Sequence, residues 1–298
     1  MVFFLLTRAI LMSEGIFLTM ATILKKERLS GAIWRFRVLA PRIAKKRMAG
    51  QFVMVRPCST GERIPLTIAN ADAKEGWIEI IFQVVGKSTM LLAALSQNDE
   101  LCDIAGPLGK PTHIEKFGRC VCIGGGVGIA PLFPIICALH KAGNSVTTIL
   151  GARTAGLLML EDEIKAHSNR MFIATDDGSK GIKGFVSDVF KSCIDSGDAF
   201  DRAVVIGPAI MMKITSALTL AAGIKTLVSL NPIMIDGTGM CGGCRISVGG
   251  ETKFACVDGP EFDASKIDWD EMLKRLGSYK TFESAARDRH ACKMAGAQ

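Results

Sequence analysis

The stretch Gly124-Gly125-Gly126-Val127-Gly128-Ile129-Ala130-Pro131 joins the short apolar run 119–123 to the apolar segment 131–142. A strand, a glycine-rich turn and a helix with proline in its first turn account for that order. Backbone N–H groups in such a turn, together with the helix dipole, face a phosphate. The spacing is not Gly-x-Gly-x-x-Gly, because the third position of either frame is Ile129 or Pro131, so the usual dinucleotide fingerprint is absent. Gly124, Gly125, Gly126, Gly128 and Pro131 nonetheless form a loop suited to a pyrophosphate.

Downstream the pattern alternates. Residues 119–123, 146–150, 171–175, 203–206 and 225–230 read as short strands, with helical stretches at 131–142, 157–167, 185–193 and 209–222 between them. This alternation predicts an open parallel sheet with helices on both faces. Gly151-Ala152-Arg153 and Thr175-Asp176-Asp177-Gly178 end the second and third strands, at the edge where such sheets bind ligands. Arg153 is a candidate for a phosphate, and Asp176 or Asp177 for ribose hydroxyls; Asp-Asp-Gly equally suits a plain turn. An acidic pair repels a 2′-phosphate, which favours NADH over NADPH.

Upstream, residues 22–113 are short and strand-like. Residues 33–40 alternate around Trp34, Phe36 and Val38, 52–55 are compactly apolar, and 77–85 are β-rich, with Pro41, Pro57, Gly61 and Gly76 at the turns. Several short strands without helices between them predict an antiparallel barrel. Two motifs lie in it. Arg63-Ile64-Pro65-Leu66-Thr67 sets a guanidinium four residues from a hydroxyl along an extended segment; the planar fork suits a diphosphate and the hydroxyl a flat heterocycle beside it. Gly86-Lys87-Ser88-Thr89 opens an apolar helix whose N-terminus suits phosphate. A Walker A reading of the second motif fails, because Ile81 stands where its first glycine is needed. Singly each motif is weak, since an arginine in a strand is commonly a salt-bridged surface group.

Near the C-terminus, Asp236-Gly237-Thr238-Gly239-Met240-Cys241-Gly242-Gly243-Cys244 is followed by Cys256, giving Asp-x4-Cys-x2-Cys-x11-Cys. Plant-type iron–sulfur loops have Cys-x4-Cys-x2-Cys and a distant fourth Cys. Asp236 stands at the first of those positions. The pattern points to a 2Fe–2S cluster held by Asp236, Cys241, Cys244 and Cys256, with glycines aiming backbone N–H groups at sulfur. Three thiols and one oxygen donor also suit tetrahedral zinc, and buried thiols in a glycine-rich turn are the plain structural alternative. Cys292 is a rival fourth ligand outside any motif.

With 298 residues, 49% hydrophobic and 22% charged, the chain predicts a compact protein of two or three domains. Its ten cysteines are spread over a chain too long for a disulfide-dense secreted domain. A reducing cytoplasm is the consistent compartment. Nine Lys or Arg residues against one acid, Glu27, fall between Lys25 and Arg47. That run is a solvated face or a docking surface for an acidic partner or phosphate; nucleic acid is excluded, because no aromatic–basic interleaving or DNA-binding motif accompanies it. Arg8, Ser13 and Glu14 break the apolar N-terminal run, so it predicts neither a membrane span nor a cleaved signal. Met20 reads as the natural start. His113, His140 and His167 read as surface or core residues.

Taken in order, Arg63–Thr67, Gly86–Thr89, Gly106-Pro107-Leu108-Gly109 and the loop 124–131 resemble the ferredoxin–NADP reductase superfamily. That resemblance implies an FAD-binding barrel at 20–113, with Arg63 on the FAD diphosphate, Pro65, Leu66 and Thr67 near the flavin ring, Thr67 as the catalytic candidate, and Gly86, Lys87, Ser88 and Thr89 around the pyrophosphate. It implies a nicotinamide-binding α/β domain at 114–232, with Gly207 and Pro208 closing over the nicotinamide. An iron–sulfur subdomain and helical tail follow at 233–298, after an N-terminal extension at 1–19. The whole resembles the electron-transfer subunit of dihydroorotate dehydrogenase. It resembles more closely the small subunit of NADH-dependent reduced ferredoxin–NADP oxidoreductase, also called a sulfide dehydrogenase subunit, in which an Asp in the cluster loop is a ligand.

The resemblance implies hydride transfer from NAD(P)H to FAD, then single electrons through a 2Fe–2S cluster to a larger flavin and iron–sulfur subunit, with ferredoxin a further partner and electron bifurcation in the complex. A stand-alone flavin reductase with structural zinc is the alternative. The tail adds a capping pattern, Asp268-x-x-Glu271, and an apolar stripe of Met272, Leu273, Leu276 and Tyr279 that suits either core or a partner interface.

Overall fold

The computed structural model describes residues 10–13 and 16–295, with side chains from Met20 to His290. Cys292, the rival cluster ligand, therefore has no described side chain. The barrel is built from β1 (Ile10–Ser13), β2 (Ile16–Ser30), β3 (Ile33–Leu39), β4 (Phe52–Arg56), β5 (Ile64–Asp72), β6 (Trp77–Gln83) and β7 (Glu100–Leu108). Strand order is β1-β2-β3-β6-β5-β4-β7, and pairing of β2 with β7 closes six antiparallel strands on themselves. Closure removes the unpaired edges that an open sheet would expose. Strand β2 continues across Met20, with Phe17, Leu18 and Thr19 paired to Gly106, Ala105 and Ile104.

The barrel carries two short helices, α1 (Pro41–Lys46) and α2 (Lys87–Ala94). Helix α1 occupies a segment whose Pro41 reads as a turn. Proline is also favoured in a first helical turn, where its missing N–H costs nothing, and Ile43 and Ala44 bury one face.

The second sheet contains β8 (Arg119–Gly125), β9 (Ser145–Ala152), β10 (Arg170–Thr175), β11 (Ile182–Lys183), β12 (Arg202–Ile206) and β13 (Lys225–Ser229). They interleave with α3 (Ile129–Lys141), α4 (Glu161–Lys165), α5 (Val186–Asp195) and α6 (Ala209–Ala221). A hairpin of β14 (Arg245–Val248) and β15 (Glu251–Phe254), the strand β16 (Glu261–Asp263), and helices α7 (Trp269–Gly277) and α8 (Lys280–Ala295) complete the chain. Sheet order is β11-β10-β9-β8-β12-β13-β16, parallel except for β16. Helix α4 is shorter than the expected 157–167, because Leu160 at its N-cap has φ 59° and the helix begins only at Glu161.

Period-2 burial explains why two strands are apolar throughout. On β8, Cys120 and Cys122 pack with α3 and α4, whereas Val121 and Ile123 pack with α5, α6 and the C-terminal segment. On β4, Val53 and Val55 fill the barrel while Phe52 and Met54 face outward into the core shared with the C-terminal segment. Among the described residues, no helix is long and apolar enough to cross a membrane.

The segment expected as a small iron–sulfur subdomain is laced into both neighbours. Strand β16 adds to the α/β sheet, pairing Ser229 with Glu261, and Lys110 N–H donates to the Gly259 carbonyl at 2.6 Å. In the connection between barrel and sheet, Thr112 Oγ1 donates to Glu261 Oε1 at 2.6 Å. Burial pushes the Glu261 carboxyl up to about 7, and the Thr112 hydroxyl only partly offsets it. The folded state therefore holds a proton that the unfolded state releases nearer the ordinary value of 4.5. Stability from this group is fully present below the unfolded pKa and is lost as pH rises towards 7. We expect denaturation midpoints to fall over that window, and Glu261→Gln to flatten the fall; an unchanged pH profile in the variant would count against the assignment.

Candidate functional site at the seam of barrel and sheet

The strand order of the second sheet reverses at β8, whose neighbours β9 and β12 leave on opposite sides. Open α/β sheets bind ligands at such a switch point, outside the carboxyl ends of their strands. A cavity of about 830 Å³ lies there. The α/β side supplies Gly125 at the end of β8 and Gly126, Gly128 and Pro131 after it, Arg153 after β9, Asp176 after β10, and Gly207 and Pro208 after β12. The barrel supplies Phe52, Pro65, Leu66, Thr67, Ile81 and Gln83, and the C-terminal segment supplies Asn231, Met234 and Pro260.

Two glycines show why the loop has its composition. A Cβ on Gly128 would stand 2.6 Å from Gly207 Cα and 2.7 Å from the Ile206 carbonyl oxygen, so the two loops approach backbone to backbone. At Gly126 the demand differs: φ is +56°, and a Cβ would meet nothing within 4 Å. Its backbone is left open on that side to anything that binds the loop.

Not every expected residue reaches the cavity. Arg63, Gly86, Lys87, Ser88, Thr89, Gly124 and Asp177 are outside its lining. Gly124 instead lies within β8, one residue before its end, beneath Leu132 and Ile129. Arg63 Nε donates to Asp103 Oδ1 at 3.1 Å, and Arg56 approaches the same carboxylate at 3.8 Å. Asp103 is buried on β7 and was not anticipated; the signal was an acid inside the apolar run Leu101–Ala105. Thr89 Oγ1 accepts from Val85 N–H and Gly86 N–H at 3.0 Å and donates to the Gly86 carbonyl at 2.9 Å. That hydroxyl caps α2, which leaves the helix's backbone N–H groups, rather than the threonine, to face a ligand.

Asp176 and Asp177 part company. Asp177 Oδ1 accepts from Ser179 N–H at 2.9 Å and from its hydroxyl at 2.6 Å, and these bonds hold the carboxyl below its usual range. Asp177 thus builds the turn, while Asp176 faces the cavity.

The cysteine loop packs behind the barrel wall. A Cβ on Gly237, at φ +80°, would stand 2.6 Å from Met54 Cγ and 2.8 Å from Leu108 Cδ1. Cys244 and Cys256 are buried with sulfurs 3.2 Å apart, whereas Cys241 is exposed. Asp236 is engaged by the loop itself: its two carboxylate oxygens accept from Thr238 N–H and Cys241 N–H, each at 2.7 Å. Burial works to raise the Asp236 carboxyl, but these bonds outweigh it and hold it below its usual value. Among the described residues, no three potential ligands converge on one point. The structure brings Cys244 and Cys256 together, and sets Cys241 and Asp236 beside them in sequence but not at a common centre.

The donor chemistry still suits an iron–sulfur group. Gly243 N–H donates to Cys241 Sγ and Cys256 N–H to Cys244 Sγ, each at 3.4 Å, which are the contacts that stabilise thiolates. The Cys244–Cys256 pair shares a hydrogen bond that drops Cys244 to about 6 and drives Cys256 up, so the pair gives up one proton readily and the second reluctantly.

Comparison with known proteins agrees with this division. Residues 122–217 match the oxidoreductase NAD-binding domain, and residues 231–268 match the iron-sulfur cluster binding domain of dihydroorotate dehydrogenase B. The chain is 46% identical over 267 residues to a dihydroorotate dehydrogenase B (NAD(+)) electron transfer subunit homolog of Thermotoga maritima, covering 90% of this chain and 94% of that one. Among solved structures, a chain of the NADH-dependent reduced ferredoxin-NADP oxidoreductase superposes with TM-score 0.86 and 44% identity, covering 91% of this chain and 98% of that one. A ferredoxin NADP+ reductase from Neisseria gonorrhoeae shares the fold at 19% identity and TM-score 0.59, over 69% of this chain and 92% of that one. The barrel, the switch-point cavity and the cysteine loop are thus those of an oxidoreductase subunit, and the chain belongs to the family of dihydroorotate dehydrogenase B electron-transfer subunits and their homologues.

Proposed function

We propose that this chain is the small subunit of a ferredoxin:NADP+ oxidoreductase-type complex, oxidising NAD(P)H, preferentially NADH, and delivering single electrons to a larger flavin and iron–sulfur subunit. The observation that carries the reading is a cavity lined by both barrel and switch point, with the cysteine loop packed against the outer face of β4. The similarity to the solved ferredoxin-NADP oxidoreductase chain along nearly its full length supports that complex, and with it flavin-based electron bifurcation.

The residues divide the work. Arg63 would hold the FAD diphosphate: Asp103 engages Nε, and the two terminal nitrogens of the fork would donate to the diphosphate as a bidentate edge. The backbone N–H groups at the start of α2 offer a second phosphate contact. Pro65, Leu66 and Thr67 would flank the flavin ring, and Gly125, Gly126 and Gly128 would admit the nicotinamide dinucleotide's pyrophosphate, with Arg153 beside it. Asp176 would take ribose hydroxyls. Cys241, Cys244, Cys256 and Asp236 would hold a 2Fe–2S cluster once Asp236 exchanges its loop bonds for iron. When bound, these groups supply hydride donation, the conversion of an electron pair to single electrons, and their onward relay.

Arg63→Ala should cut FAD affinity by roughly 10- to 150-fold, the worth of a charged hydrogen bond of about 1.5–3 kcal/mol, while iron content is unchanged. Asp103→Ala should give a smaller loss through the same guanidinium. Retention of full FAD in Arg63→Ala, measured after gel filtration, would remove the arginine from the site.

Asp176→Asn should raise the NADPH-to-NADH ratio of kcat/KM by roughly tenfold, about 1.4 kcal/mol, because one charge facing a 2′-phosphate is gone. The same change at Asp177 should loosen the turn without altering preference. Equal effects of the two variants would refute the distinction drawn between them.

For the cluster, Asp236→Cys should retain iron with an altered EPR spectrum and potential, since thiolate is a softer donor than carboxylate. Asp236→Ala should lose or destabilise it. Aerobically purified protein that carries zinc and no visible absorption beyond flavin would instead favour a stand-alone flavin reductase with a structural metal.

A further inference from the structure

Beside the cysteine loop is a second, smaller cavity of about 320 Å³, lined in part by Cys241, Gly243, Arg245, Arg275 and Tyr279. Among the described residues, its charged lining consists of two guanidiniums and no carboxylate. Both arginines are fixed on the loop's own backbone. Arg245 Nη1 donates to the Gly242 carbonyl and Arg275 Nη2 to the Gly243 carbonyl, each at 3.2 Å. Gly242 and Gly243 are the two residues between Cys241 and Cys244, so the two cations grip the turn that sets the spacing of those thiols.

Arg275 arrives from far along the chain, on α7, and that helix is anchored. Asp268 caps it by accepting from Glu271 N–H at 2.9 Å, Met272 is 2% exposed in the main core, and Lys213 on α6 pairs with Asp270 at 2.6 Å. An anchored helix can hold a cation in place, which a free surface side chain does not. Fixed charge and hydrogen bonding around the sulfurs are what a protein uses to set the potential of an iron–sulfur centre.

Resting on the cluster reading above, we propose that Arg245 and Arg275 are positioning residues that lock the Gly242–Gly243 turn and raise the reduction potential of the centre held there. Each electron accepted adds one unit of negative charge to the loop, and two guanidiniums in a cavity without acids favour the reduced state. The tail helix thereby becomes part of the redox site.

The test is an EPR-monitored redox titration of the purified full-length protein, alongside its iron content. Arg275→Gln keeps an amide N–H donor for the Gly243 carbonyl and removes the charge; Arg245→Gln does the same at Gly242. Each variant should retain iron and titrate at a lower midpoint potential than wild type, with the double variant lower still. Arg275→Lys, which keeps the charge, should titrate close to wild type. Iron-replete glutamine variants with the wild-type potential would overturn the proposal. If Arg275→Gln loses iron, Arg245→Gln decides alone; loss of iron from both would overturn the tuning role and leave the arginines structural. Wild-type protein without iron would instead remove the cluster reading itself, a result visible before any variant is made.

Discussion

The approach of Gly128 to Gly207 sets the geometry of the seam. With 2.6 Å between the place of a Cβ on one and the Cα of the other, no side chain fits, and the turns after β8 and β12 close together as bare backbone. That contact fixes the two sides of the switch point, and everything facing the cavity from the sheet is hung on strand ends beside it. The barrel need only bring β5 to the opposite wall. It does so because Phe52 and Thr67 are paired across β4 and β5, and both reach the cavity.

The C-terminal segment ties the proposed relay to this seam. It pairs β16 with the sheet, bonds Lys110 and Thr112 in the connection between the two larger units, and then folds its cysteine loop against β4. Met54 is central to that arrangement. Its backbone opposes Pro65, which lines the cavity, while its side chain meets Gly237 of the loop. One strand therefore separates the proposed flavin wall from the proposed cluster loop. The glycine at 237 allows the approach, because both its positive φ and the nearness of Met54 and Leu108 oppose a side chain.

Much of this was legible in the sequence because it rests on period and punctuation. Five of the six parallel strands of the α/β sheet, the barrel class, the glycine loop and the Asp268 cap all follow from local pattern, and each is present. What escaped depends on distance along the chain. Strand β7, which closes the barrel, carries an acid in an apolar run; Asp103 makes sense there only once Arg63 lies beside it. Strand β16 joins a sheet whose other strands end more than thirty residues earlier. Arg275 reaches Gly243 across 32 residues. Neighbouring residues of one motif also took different tasks, as Asp176 and Asp177 did, because which of them turns inward is decided by Ser179 and not by the motif.

The cavity's ionisable lining is as informative as its shape. Among the described residues, Arg153 and Asp176 are the only titratable side chains on it, and His113, His140 and His167 are all elsewhere. His113 faces Glu115 at 3.2 Å, and His140 and His167 stack edge to face near Phe133. A reaction that needed a general acid or base would require a group of matched pKa within hydrogen-bond reach of the reacting atoms. Here the interior wall is apolar side chains, backbone and uncharged polar groups, with the charges placed where phosphate and ribose would lie. Such a lining offers two flat rings apolar walls and no proton donor, which suits the hydride transfer proposed above. Fixed charge instead gathers around the cysteine loop, where Arg245 and Arg275 donate to the Gly242 and Gly243 carbonyls, the place at which the proposed cluster would gain charge with each electron.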